Sequence, residues 1–87
     1  MKKDIEKQRK IRALIGMNIA YWRKYRGMTQ EKLAEASGLS HAMIAQTEAE
    51  GMDVLLSIDS MITIADCLNV KLYKFFVFDE DIEKELE

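Results

Sequence analysis

The chain has 87 residues, 48% of them hydrophobic and 32% charged, with a net charge of −2; this excludes a disordered or fibrous chain and fits one small globular domain. No apolar run reaches the roughly 18–20 residues that span a bilayer, and no apolar stretch follows MKKDIEKQRK as a secretory leader requires. The single cysteine, Cys67, precludes an intrachain disulfide framework and suits a reducing compartment, so the expected location is the cytoplasm.

The charge is unevenly spread. Residues 1–12 carry six basic and two acidic side chains, residues 13–51 four of each, and residues 52–87 three basic and nine acidic. A basic head and an acidic tail point to two partners of opposite sign, or to each other. They also fit two solvated helix ends that charge keeps soluble.

The absence of proline, the few glycines and the long 3.6-residue stripes predict an all-helical protein with no linker and no repeat. A first helix is expected from about Lys3 to Arg26, with Ile11, Ile15, Ile19 and Trp22 on one face. Gly16 costs such a helix about 1 kcal/mol against alanine, which predicts a bend or a break there. Gly27 supplies a C-terminal stop. Thr29 caps a second helix through about Ala36, with Glu31 in its first turn, and Gly38 ends it. Ser40 caps a third through about Ala49, terminated by Gly51. Ser57 caps a fourth with Asp59 in its first turn and the stripe Ile58, Met61, Ile62, Ala65, Leu68; Asn69 suits its left-handed end. VKLYKFF reads as a short fifth helix and DEDIEKELE as a frayed continuation. MDVLL could form a strand, but it has no partner strand.

The second and third elements, TQEKLAEASGLSHAMIAQTE at residues 29–48, have the pattern of a helix-turn-helix. Counting Gln30 as the first position, Ala34 is the fifth and lets two helices approach. Gly38 is the ninth and takes a turn that a β-carbon would strain. Leu33, Leu39 and Ile44 fall on the inward side.

With these residues the chain resembles the Cro/repressor-like, XRE-type helix-turn-helix regulators. IGMNIAYWRKYRGMTQEKLAEASGLS is similar to the family's first two helices and SIDSMITIADCLNVKLYKFF to its fourth and fifth, together covering Ile15 to Phe76. The length and the ending LNVKLYKFFVF also resemble the small controller proteins of restriction–modification systems. The resemblance implies a compact five-helix lambda-repressor-like DNA-binding domain at residues 13–78. A basic helical extension at residues 1–12 and an acidic tail at 79–87 would flank it.

The resemblance also implies roles. Thr29 and Gln30 open the second helix, where the family's glutamine touches a DNA phosphate and the helix dipole favours anions; Gln30 could instead simply cap that helix. Ser40, His41, Ala42, Met43 and Gln46 would face the major groove. Gln46 suits adenine, Met43 or Ala42 a thymine methyl, and His41 a phosphate or guanine; alone, His41 reads as an exposed polar residue near a helix start. Arg23 and Glu48 fall where the family places an ion pair between the first and third helices, expected here to be partly buried. The implied partners are double-stranded DNA and a second copy of the chain, with no small-molecule ligand.

Several features depart from that pattern. The third helix has no arginine, the commonest reader of guanine. Thr47 stands where a larger aliphatic residue normally enters the core. The loop AEGMDVLL is about two residues longer than usual and carries Glu50 and Asp53, where each missing cation removes about 0.9 from the salt slope of DNA binding. Lys24, Arg26 and Lys32 flank the motif and supply the expected phosphate contacts. The head, RKIR in particular, could reach a phosphate strand as an arm, or dock on the acidic tail of a sister chain. Of Tyr73, Phe75, Phe76 and Phe78, some should close the core and others form a twofold interface that spaces two third helices about 34 Å apart; alternatively all four cap the core.

Little suggests catalysis. His41 and Cys67 stand 26 positions apart and form no metal-binding cluster, and Cys67 reads as a packing residue. There is no glycine-rich phosphate loop and no Ser–His–Asp set. Asp79, Glu80 and Asp81 belong to a terminal charge run. Neither an enzyme nor a cofactor is expected. The competing reading is a protein-interaction module on the same scaffold, with weak or lost DNA binding.

Overall fold

Side-chain caps set most of the helix boundaries in the computed structural model, which describes residues 2–49 and 56–86. Helix α1 spans Lys2–Tyr25. Helix α2, Gln30–Ser37, starts where the Thr29 hydroxyl accepts from the Lys32 N–H at 3.0 Å and ends at Gly38, whose φ of 76° a β-carbon would strain. Helix α3, His41–Glu48, is capped by the Ser40 hydroxyl, which accepts from the Met43 N–H. Helix α4, Ile58–Leu68, is capped by Ser57 and closed by Asn69, the one non-glycine residue with positive φ among those described. A 3-10 turn at Leu72–Phe76 and a short α5, Glu80–Leu86, complete an all-helical fold. The expected fifth helix is thus a 3-10 turn, and the tail is a helix of its own. Gly51, Glu50 and Asp53 lie outside the described residues, as does all of the alternative strand MDVLL except Leu56, which is buried in the core.

The core is built by one or two large side chains from each main element. Ile19, Leu33, Ile44, Ile64, Leu68 and Phe75 are fully buried, with Ile15, Trp22, Leu39 and Val70 packed around them. Each such side chain contributes about 1.5–3 kcal/mol by leaving water. α1 packs on α3 and on the 3-10 turn, while α2 bridges α3 and α4. No helix of the described residues is long and apolar enough to cross a membrane.

Gly16 does not break α1, which is one helix across it. Its role is close approach. A β-carbon there would lie 2.0 Å from the carbonyl oxygen of Thr47, so α1 and α3 cross with backbone against backbone. Thr47 fits this crossing without filling the core: its hydroxyl bonds back to the Met43 carbonyl at 2.7 Å.

The two ends of the chain meet. The Asn18 amide donates to the carbonyls of Phe75 and Val77, both at 3.0 Å, which leads the tail along α1 towards its N-terminus. The Lys10 ammonium then bonds the Glu85 carboxylate. Head and tail are therefore joined within one chain. Arg9 and Arg12 lie inside a continuous helix, so RKIR is not a free arm.

Replacing Gly16 with alanine should improve helix propensity by about 1 kcal/mol, yet drive a methyl into backbone that cannot move aside. The net expectation is a loss of about 1–3 kcal/mol in chemical denaturation. A raised midpoint would show that the crossing is open.

Candidate nucleic-acid interface

Arg23 sits on the inward side of α1 and is 7% exposed. Its Nε donates to Glu48 Oε2 at 2.7 Å and its Nη2 to Glu48 Oε1 at 2.8 Å, a two-pronged pair between α1 and the end of α3. Nη1 donates to the Met28 carbonyl at 2.7 Å, which ties the pair to the α1–α2 connection.

The pair extends outward. Gln30 Nε2 donates to Glu48 Oε1 at 3.1 Å, and Gln30 Oε1 lies 3.3 Å from His41 Nε2. Because an ionised carboxylate only accepts, the amide nitrogen of Gln30 must face Glu48 and its oxygen must face His41. The His41 ring therefore carries its hydrogen on Nε2. This chain of contacts holds the first residue of α3, the first residue of α2 and the last residue of α3 against α1.

At the outer end lies an open depression of about 410 Å³ lined by Arg23, Thr29, Gln30, Glu31 and His41. The backbone N–H groups of Gln30 and Glu31 begin α2 there, and a helix start leaves such donors without partners in the helix. These donors and the helix dipole favour an anion. The Glu31 carboxylate opposes one.

Along α3, Ser40, His41, Ala42, Met43 and Gln46 are all exposed, while Ile44 points into the core. Lys24 and Lys32 are exposed on either side of the motif. Arg26 is used differently from the expectation. Its Nε donates to the Leu68 carbonyl at 2.9 Å and its Nη2 to the Asn69 carbonyl at 3.1 Å, so it closes the end of α4.

The aromatic group divides by 3-10 geometry. Three residues per turn put Leu72 and Phe75 on one side and Tyr73 and Phe76 on the other. Phe75 is 0% exposed and part of the core, which removes it from any interface. Tyr73 and Phe76 remain 57% and 39% exposed, and Phe78 is half-buried.

Sequence reasoning missed the roles of three positions that shape the site. Gly16 sets the crossing of α1 and α3, Asn18 anchors the tail, and Arg26 closes α4. Asn18 carried a signal, a polar side chain between Ile15 and Trp22 in an apolar stripe. The other two depend on contacts far along the chain.

The side chains of Arg23 and Glu48 are 9% and 5% exposed. Arg23→Ala, which strands a buried carboxylate, should therefore cost about 3–5 kcal/mol in denaturant titration. The double variant Arg23→Met with Glu48→Leu should recover most of that loss. A single variant as stable as the wild type would show that the pair does not hold α3.

A model of the helix-turn-helix family matches residues 19–75, more than half of the chain. A search of curated proteins gave no match. Among solved structures, the restriction–modification controller protein C.AhdI from Aeromonas hydrophila is 23% identical, with a TM-score of 0.68 over 74% of this chain and 94% of that one. A hypothetical transcription factor, NHTF, from Neisseria is also 23% identical, with a TM-score of 0.72 over 86% of this chain and 84% of its own. At such identity the likeness to both is one of fold. The family match rests on the same residues that build the α2–α3 unit and its core: the chain belongs to the helix-turn-helix family, of the XRE, Cro/repressor-like type.

Proposed function

We propose that this protein is a sequence-specific DNA-binding regulator of transcription that acts as a dimer on a near-palindromic site. The observation that carries the reading is the chain of contacts from the buried Arg23–Glu48 pair through Gln30 to His41 at the surface, which presents an exposed α3 at a fixed angle. A reader of base edges has to be rigid, because a bidentate contact tolerates little misplacement. In this reading α3 lies in the major groove. Gln46 addresses an adenine, Met43 and Ala42 a thymine methyl, and Ser40 and His41 the adjoining base or phosphate. Thr29 and Gln30 receive a phosphate at the start of α2, with Lys24 and Lys32 beside it.

The dimer would form through Tyr73 and Phe76, aided by Phe78 and by Val77, which is also exposed. Occupancy of the site is the simplest mechanism, and the amount of dimer sets it. The protein of similar fold is a restriction–modification controller, and a comparable controlling role fits this chain. Two observations favour the second reading, a protein-interaction module: Glu31 borders the anion depression, and α3 itself has no lysine or arginine.

Selection from a pool of random duplexes at two salt concentrations separates the two readings. The regulator should enrich a near-palindrome; a pool that stays random favours the module. On the enriched site, Gln46→Ala should relax one A·T position by about 1–3 kcal/mol. Lys32→Ala should weaken all sequences alike and lower the salt slope by about 0.9. Sedimentation should give a dimer mass that Phe76→Asp halves. A wild-type monomer at the concentration that saturates DNA would remove the dimer from the reading.

A further inference from the structure

Lys10, Leu14, Met17, Tyr21 and Tyr25 follow one another at four- and three-residue steps and so share one side of α1. The chain's own tail meets the N-terminal end of that stripe. Glu85 of α5 bonds Lys10, and Ile82 and Leu86, four residues apart, are half-buried while Glu80, Asp81, Glu83 and Glu85 are exposed. The occupant there is an acidic amphipathic helix.

The other end of the stripe is uncovered. Met17, Tyr21 and Tyr25 are 59%, 58% and 64% exposed. Three large side chains lined up on one helix form a continuous row where single exposed apolar residues would be ordinary. Beside it opens a groove of about 400 Å³ lined by Met17, Ala20, Tyr21, Lys24 and Glu48. Glu48 brings no free charge to the groove, since Arg23 and Gln30 already hold its carboxylate. Lys24 does. Lys74 lies 5.8 Å over the Trp22 ring, and Trp22 in turn meets Tyr21 and Tyr25 at 5.2 and 5.4 Å between ring centroids. The open half of the stripe therefore combines apolar anchors with Lys24 in the groove and Lys74 beside Trp22, a charge complementary to an acidic helix of the kind that Lys10 ties at the other end.

We propose that this groove docks an acidic amphipathic helix of another protein. Met17 to Tyr25 spans about 12 Å at 1.5 Å per residue, room for roughly two turns of a partner helix laid along α1. The partner's leucine-like residues would pack between Met17, Tyr21 and Tyr25, and its carboxylates would meet Lys24 and Lys74. The chain's own α5 runs the other way, towards Lys10, and does not reach the site. Of α3, only Glu48 borders the groove, and none of the exposed residues Ala42, Met43 or Gln46 does. The inference goes beyond the regulatory reading and does not need DNA to be bound.

The test uses the full ¹⁵N-labelled chain and two synthetic 18-residue helices. One has leucine at three- and four-residue steps with glutamate elsewhere; its twin has lysine in place of every glutamate. The acidic helix should shift the amide signals of Met17, Tyr21, Lys24 and Tyr25. The lysine twin should not, and the double variant Tyr21→Ala with Tyr25→Ala should weaken binding at least about tenfold, as loss of central anchors does. Both tyrosines are exposed but pack on Trp22, so the variant should lower the thermal midpoint by a few degrees while staying folded and keeping its DNA selection profile. That separates failure here from failure of the regulatory reading. The proposal is overturned if the four signals stay in place or if both helices bind alike. It is equally overturned if the signals move with protein concentration alone, which would make the groove a self-interface, or if a random DNA duplex moves them and the acidic helix does not.

Discussion

A guanidinium and a carboxylate removed from water cannot be left half-paired, and this constraint organises the α1–α3 side of the molecule. Arg23 satisfies three acceptor positions at once, two on Glu48 and one on the Met28 carbonyl. Any rotation of α3 about α1 would break the two-pronged pair and leave charge buried, which costs more than the intact pair contributes. The pair thus acts through the penalty for its disruption. It selects one helix orientation among those that Ile44 and Ile19 alone would allow, because aliphatic contacts have little directional preference.

The second fixed point is the backbone contact between Gly16 and Thr47. Together with the Arg23–Glu48 pair it gives two attachments, about two turns of α1 apart, between the same two helices. Both meet α3 at its last two residues, Thr47 and Glu48, so they fix that end on α1 while Ile44 in the core holds the rest of the helix. α2 then inherits its position from Gln30, which bonds Glu48, and α4 is drawn to α1 by Arg26 at its carbonyl end. The exposed row on α3 is held by this frame, since α3 buries only Ile44.

What could be read from the sequence follows the range of the interaction. Thr29, Ser40 and Ser57 bond amides three residues away, and Asn69 takes its left-handed turn locally, so the helix boundaries are written in the side chains beside them. The role of Gly16 is not legible locally, because its cost to a helix is local while its reason, the Thr47 carbonyl, lies 31 positions on. Phe75 was grouped with Tyr73 and Phe76 because an aromatic run does not announce whether it winds with three or 3.6 residues per turn. That difference decides which ring turns inward. Arg23 and Glu48, 25 positions apart, are connected by no local pattern and were reachable only through the resemblance. The Gln30–His41 contact depends on the angle between α2 and α3, which a linear chain does not state.

The contacts that end at His41 also have a direction. Hydrogen passes from the ring Nε2 to the Gln30 oxygen and from the Gln30 nitrogen to Glu48, where Arg23 meets it from the other side. Every link terminates on an oxygen that can only receive, so the order cannot be reversed. Position 41 consequently has a rule of chemical grammar: glutamine or lysine could supply the donor that completes the line, whereas aspartate would set oxygen against oxygen and release Gln30.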